Sequence, residues 1–178
     1  MDMPVVVPIP IPTKGLPWYK RALKAFKRRQ WKLIEDYTLE IEHLGRRAMV
    51  PAPFDFDFAS VPRIFWFVLD PVGLLLVGSV FHDCGYRYGG LLLESIYKKD
   101  QWSFIRFDKP EIDLIFEKIT DQVNDMKIMA RLARWAVNIG GYFTWNAARK
   151  ENRDIFKDYP KLEQIYGYLE KTAPIKTP

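Results

Sequence analysis

The spacing of apolar residues changes from a strand pattern to a helix pattern along the chain, and this change limits the fold class. Residues 31–41 and 46–51 are predicted as the two strands of a β-hairpin that turns at Gly45. Farther along, five apolar residues recur at helical spacing and share one helix face: Ile112, Ile115, Phe116, Ile119 and Val123. We therefore predict an α+β fold in which N-terminal β-hairpins pack on a mainly helical C-terminal part.

A buried helix is predicted at the centre of this fold. Asp70 is a favourable N-cap residue and Pro71 a favourable first helical residue, so the helix should run from there to about Tyr88. Gly89-Gly90 then ends it. The Asp70-Pro71 pair also interrupts the apolar run 64–81, which leaves two pieces that are each too short for the ~20 residues of a membrane-spanning helix.

The second half of the chain is predicted to hold another hairpin and further helices. Residues 91–107 resemble a hairpin, inserted between two helices. Asp108 and Pro110 open the next helix, which carries the apolar face described above. A longer helix spans roughly 126–149, with a kink or break expected at Gly140-Gly141.

Composition and length fit one globular domain. The hydrophobic fraction of 48% and the charged fraction of 28% exclude a disordered or collagen-like chain. Residues 14–173 are predicted as this domain, preceded by an extended proline-rich arm over 1–13 and followed by a tail over 174–178. Prolines interrupt the apolar N-terminus, so we predict no signal peptide. Cys84 is the single cysteine, which excludes an internal disulfide and a cysteine zinc site.

The segment 14–30 is predicted as a basic helix, with seven Lys or Arg residues and no acid. Tyr19, Leu23 and Phe26 share one stripe of it. Together with the arm, this surface is expected to meet protein partners, namely virion or assembly subunits. An anionic membrane is the second candidate, and nucleic acid is less favoured because no recognised binding motif accompanies the bases. The alternative is a solvated helix face without a partner.

His82 is the centre of the candidate site. Gly78 and Tyr86 lie four residues before and after it, so both share its helix face. Asp83 points about a quarter-turn away, which places a carboxylate beside the imidazole. A neutral imidazole can take a proton from water, but it needs a partner that fixes its tautomer. Asp113 is the candidate partner, because it borders the apolar stripe of its helix.

Structural roles for the same residues remain open. His82 also fits a half-buried core histidine, and Asp83 also fits an ion pair with Arg87 at i+4. Asp113 also fits a first-turn acid favoured by the helix dipole. Asp57 lies in a loop framed by prolines and is a candidate metal ligand or orienting group.

Several motifs follow one another in an order that resembles a family of small phage and prophage proteins of unknown function. The first is Asp57-Phe58-Ala59-Ser60-Val61-Pro62-Arg63, and the second is His82-Asp83-x-x-Tyr86. The third is an acidic helix residue, matched by Asp113 and followed by Phe116. The resemblance covers roughly residues 31–145 and implies a protein of the virion or of the host cytoplasm.

The His-Asp-x-x-Tyr helix is also similar to that of the phospholipase A2 superfamily, including its viral capsid type. This resemblance implies that His82 is the base, Asp113 the acid that orients it, and Asp83 a calcium ligand. The chain lacks the glycine-rich calcium loop and the cysteines of that superfamily. Calcium or another divalent metal would therefore need replacement ligands, such as Asp57 or Asp55.

Two functions remain open from the sequence. The first is a phage-encoded His-Asp hydrolase-like protein that acts, with or without a metal, on an ester or amide of the host envelope. Its catalytic residues would be His82, Asp113 and Tyr86. The second is a non-catalytic virion or assembly component, in which the contact between His82 and Asp113 ties two helices together.

Overall fold

Strands dominate the N-terminal part of the chain and helices dominate the C-terminal part. The computed structural model describes residues 2–25, 30–57, 73–97, 99 and 101–162. Its first elements are β1 (Val6–Pro8), α1 (Trp18–Ala25), β2 (Trp31–Leu33), β3 (Tyr37–Ile41), a 3-10 turn (Glu42–Leu44), β4 (Arg46–Val50) and β5 (Phe54–Phe56). They are followed by α2 (Leu76–Tyr88), β6 (Gly90–Glu94), β7 (Trp102–Arg106), α3 (Lys109–Asn124), α4 (Lys127–Glu151) and α5 (Ile155–Asp158). The predicted α+β class is confirmed.

The strands of the described residues form two antiparallel sheets. One has the order β1-β2-β5, and the other has the order β3-β4-β6-β7. The predicted turn at Gly45 joins β3 to β4, which pair from Tyr37↔Val50 to Ile41↔Arg46. The hairpin predicted over 91–107 is present as β6 and β7.

The three-stranded sheet adds to one prediction and corrects two. Residues 6–8 of the predicted extended arm form β1 and pair with β2, so this part of the arm belongs to the sheet. Residues 31–41 are not one strand, because 31–33 belong to the first sheet and 37–41 to the second. The proline-framed loop that contains Asp57 was predicted from residue 54 onwards, but residues 54–56 form β5. Strands of three residues show no measurable periodicity, so only pairing with a neighbouring strand identifies them.

Helix α2 is the buried centre of the fold, as predicted. All its residues except Asp83 and Arg87 are buried, which is the pattern of a core helix. The helix starts at Leu76, after a turn at 73–74, and not at Pro71. Residues 58–72, including the predicted N-cap, lie outside the described residues. Gly89 ends the helix in the left-handed region with φ of 75°, as predicted.

Two glycines of α2 allow α3 to lie directly against it. A Cβ atom at Gly78 would lie 2.7 Å from Thr120 Oγ1, and one at Gly85 would lie 2.6 Å from Ile112 Cδ1. The two glycines are seven residues apart, on the same side of the helix, with His82 between them. The two glycines therefore leave room beside the imidazole for α3, the helix that carries the predicted acidic partner.

Helix α4 runs without interruption through Gly140-Gly141, so the predicted break is wrong. Gly141 has a packing role instead. A Cβ atom there would overlap the Tyr86 hydroxyl and would lie 2.9 Å from Cε1 of the same ring. The other buried residues of α4 are also small: Ala130, Ala133, Ala136 and Val137. Their size lets α4 approach α2 and α3 closely.

The predicted basic helix is present in part. Helix α1 starts at Trp18, and residues 26–29 and the tail 174–178 lie outside the described residues. Tyr19 and Leu23 are exposed on α1. In the described part of the chain, no helix is both long enough and apolar enough to cross a membrane.

Gly141→Ala should destabilise the fold by about 1–3 kcal/mol, because the added methyl group meets a tyrosine ring that a buried hydrogen bond holds in place. The matched control is Gly140→Ala, at the partly exposed neighbouring position. This variant should be neutral or stabilised by up to about 1 kcal/mol through helix propensity. Urea denaturation measures both, and equal free energies for the two variants would contradict the packing role of Gly141.

Candidate functional site

The Asp113 carboxylate lies where α2 meets α3 and accepts hydrogen bonds on both oxygens. His82 Nε2 lies 3.0 Å from Oδ1, and the Tyr86 hydroxyl donates to the same oxygen at 2.7 Å. Lys109 Nζ donates to Oδ2 at 2.7 Å. The side chains of Asp113 and His82 are 0% and 2% exposed. The predicted contact between His82 and Asp113 is confirmed, and these four residues are called the Asp113 cluster below.

Lys109 is the member of the Asp113 cluster that the sequence analysis missed. It is the first residue of α3 and reaches Asp113 one turn later, at i+4. Its ammonium group also donates to the backbone carbonyl of Asn138 in α4, at 3.2 Å. The i+4 spacing was visible in the sequence, but ordinary surface pairs have the same spacing. Only burial distinguishes this pair.

Aromatic rings enclose the imidazole. The ring of Tyr86 is 4.1 Å from that of His82, centroid to centroid, and the ring of Phe116 is 5.1 Å away. Trp145 of α4 packs edge-on against Tyr86 at 5.2 Å. The cluster therefore lies in an apolar setting, where an unpaired charge would be costly.

The buried contacts shift the pKa values of the cluster in opposite directions. Burial alone would raise the pKa of Asp113, but hydrogen bonds from His82, Lys109 and Tyr86 outweigh it and lower this pKa. Burial alone would lower the pKa of His82, but its contacts with Asp113 and Asp83 outweigh it and raise this pKa. The charged forms of both side chains are thus favoured. Burial also raises the pKa of Cys84 to about 12, which keeps this thiol protonated.

Asp83 connects the imidazole to a surface cavity. Its Oδ1 lies 3.6 Å from His82 Nδ1, and its Oδ2 accepts the backbone N–H of Asp57 at 3.1 Å. Asp57 thus meets the middle of α2. Asp57, Asp83 and Tyr86 line a cavity of about 290 Å³ together with Arg87 and other residues. His82 lies behind this wall.

The residues predicted as metal ligands lie at the cavity beside α2. Within the described part of the chain, no group of three His, Cys, Asp or Glu side chains is arranged to hold a metal. Asp55, Asp57 and Asp83 all line the cavity. The Asp55 carboxylate also lies 3.7 Å from Lys32 Nζ, and the Asp55 backbone carbonyl accepts a hydrogen bond from the Arg87 guanidinium. Calcium takes six to eight oxygen ligands, so a site here would need oxygen ligands beyond these side chains.

The protein is thus an α+β protein in which two packed helices, α2 and α3, carry the buried pair His82 and Asp113. A family described as "Protein of unknown function (DUF1353)" matches residues 31–137, which is more than half of the chain. The chain belongs to this DUF1353 family. The matched region contains the whole Asp113 cluster, together with Asp57 and Asp83. Comparisons with curated proteins and with solved structures found no match.

The stabilisation supplied by the Asp113 cluster should depend on pH. The raised pKa of His82 means that its contribution is complete below its ordinary value of 6.5 and is lost as pH rises through the raised value. The lowered pKa of Asp113 means that its contribution is present above 3.8 and is lost as pH falls through the lowered value. The free energy lost in His82→Gln, about 3 kcal/mol, should therefore be largest between pH 3.8 and 6.5.

Urea denaturation at a series of pH values measures this difference. The control is His43→Gln, which changes the other histidine of the chain at an exposed position. Its effect should be small at every pH. A loss in His82→Gln that stays constant from acid to alkaline pH would contradict the charged His82–Asp113 pair.

Proposed function

We propose that this chain is a hydrolase-like protein in which His82 is a general base and Asp113 fixes its tautomer. The observation that carries the proposal is the geometry around Asp113. Its carboxylate binds the Nε2 side of the imidazole, and Tyr86 donates to the same oxygen. This arrangement leaves Nδ1 on the side of Asp83, which lines the cavity. A base held in this way is the requirement for activating water.

In the proposed reaction, Nδ1 of neutral His82 takes a proton from a water molecule. The water oxygen then forms a bond with the carbonyl carbon of an ester or amide. The resulting imidazolium returns the proton to the leaving oxygen or nitrogen as the carbon–leaving-group bond breaks, which yields an acid and an alcohol or amine. Asp113 stays ionised throughout and stabilises the imidazolium. Because the pKa of His82 is raised, the neutral base becomes abundant only above this raised value, so the rate should increase with pH.

Access to His82 depends on Asp83. The Asp83 carboxylate lies between the imidazole and the cavity, and it is held there by the Asp57 backbone. Water reaches Nδ1 when this carboxylate turns away from the ring. The cavity is lined by Arg87, Thr144 and Glu151 as well as by Asp57, so part of its wall is polar and charged. A polar ester or amide of a host envelope, encountered by a phage-encoded protein, fits such a wall.

A non-catalytic assembly protein is the second candidate, and the burial of His82 favours it. In this case the Asp113 cluster only joins α2, α3 and α4, since Lys109 binds both Asp113 and the Asn138 carbonyl. The exposed Trp18 and Leu23 of the basic helix α1 favour the same function, because they offer an apolar surface to a neighbouring subunit.

Hydrolysis of a panel of chromogenic esters and amides tests the two candidates. His82→Gln and Asp113→Asn should each lower kcat/KM by about 100-fold or more, at temperatures where both variants remain folded. The matched control is Tyr88→Phe, which also removes a tyrosine–carboxylate hydrogen bond from α2, the one to Asp158. It should retain activity. If the wild type hydrolyses no substrate faster than Asp113→Asn, while this variant loses stability, the assembly function is favoured.

The metal-assisted form of the proposal has a separate test. Calcium should raise the melting temperature of the wild type if Asp57 and Asp83 take part in binding it, because a ligand bound to the native state stabilises that state. Asp57→Ala should lose this response, and Glu40→Ala, at an exposed carboxylate on β3, should keep it. Differential scanning fluorimetry with calcium, magnesium or a chelator measures the shift. Equal shifts of the melting temperature in wild type and Asp57→Ala would show that Asp57 is not a calcium ligand.

A further inference from the structure

The fully buried side chains of helix α4 are small, and large apolar side chains of the same helix face solvent. Six of its residues are large, apolar and exposed: Ile128, Leu132, Trp135, Ile139, Tyr142 and Phe143. Ile128 is 75% exposed and Phe143 is 81% exposed. A surface helix usually has the reverse arrangement, with its apolar face on the core. These six residues are called the α4 stripe below.

The spacing of the α4 stripe is that of a helix-packing seam. From Ile128 the steps to Leu132, Trp135, Ile139 and Tyr142 are four, three, four and three residues. This alternation places apolar side chains along one narrow line, where a second helix can insert its own side chains between them. At 1.5 Å per residue, the line is about 20 Å long.

The exposed area of the α4 stripe is large enough for a stable interface. Taking on the order of 200 Å² for each large apolar side chain, the exposed fractions amount to roughly 700 Å². A monomeric protein rarely exposes more than a few hundred Å² of contiguous apolar surface. A standard protein interface buries about 800 Å² on each partner.

The charges beside the stripe favour a protein occupant over an anionic lipid surface. The stripe itself carries no charged side chain. Arg134 lies 3.0 Å from the Glu117 carboxylate, and Arg131 lies 4.0 Å from it. Because Glu117 offsets part of this positive charge, two copies of the chain meet with less repulsion. The same pairing weakens the attraction of an anionic membrane.

We infer that the α4 stripe is the contact surface for a second copy of this chain, which forms a twofold dimer. An antiparallel arrangement with its axis between Trp135 and Ala136 matches the stripe with itself. It sets Leu132 opposite Ile139 of the second copy and Ile128 opposite Phe143 of the second copy. An interface in which the same patch occurs on both subunits has this self-complementary form.

Sedimentation velocity from micromolar to hundreds of micromolar concentration tests the dimer. The wild type should sediment as a dimer, and Ile139→Glu should weaken association by about 30-fold or more, as for a central interface residue. The matched control is Ile96→Glu, which places the same charge at an isoleucine that is 65% exposed in the β6–β7 hairpin. It should remain a dimer. Circular dichroism checks that each variant is folded.

A second measurement does not depend on the glutamate variants. In Leu132→Cys/Ile139→Cys, oxidation by copper–phenanthroline and oxygen should remove two electrons and two protons from facing thiols and join the two copies by disulfides. Cys84 is buried and should not react. A monomeric wild type, a dimer that survives Ile139→Glu, or the absence of cross-linked dimer would each overturn the inference. A monomer that binds anionic vesicles through Ile139 would also overturn it and would assign the stripe to a membrane surface.

Discussion

The buried carboxylate of Asp113 is the interaction on which the arrangement of the helices depends. An ionised carboxylate without access to water is costly unless hydrogen bonds and positive charge compensate it. His82 and Tyr86 provide this compensation from α2, and Lys109 provides it from the first turn of α3. Because Lys109 also binds the Asn138 carbonyl, α4 is joined to the same centre. Three helices are thereby held in one relative position.

Small residues allow α3 and α4 to approach α2 closely around the Asp113 carboxylate. Gly78 and Gly85 let α3 lie against α2 about one turn before and after His82 along the helix. Gly141 lets α4 lie against Tyr86. The fully buried positions of α4 are therefore occupied by small residues. The large apolar side chains of the α4 stripe lie on the outer face of this helix. The close internal packing and the exposed stripe therefore both follow from how side-chain size is distributed around α4.

The structural role and the proposed catalytic role of the Asp113 cluster use the same contacts. The hydrogen bond between His82 and Asp113 stabilises the fold, and it also fixes the tautomer that a general base requires. What separates the two roles is the position of Asp83, which lies between the imidazole and the cavity. The DUF1353 match over residues 31–137 contains the Asp113 cluster together with Asp83. Both roles therefore concern residues of the matched region.

The sequence by itself determined the α+β class, the end of α2 at Gly89, the N-cap of α3 at Asp108, and His82 and Asp113 as partners. These features depend on apolar period, on local capping signals and on ordered motifs, which are properties of short segments. Only the tertiary structure decided the three-residue strands β1, β2 and β5, because each is defined by its neighbour. The same holds for the ion pair between Lys109 and the buried Asp113, and for the contact between Gly141 and Tyr86. Their roles arise where distant segments meet, and no local pattern encodes that meeting.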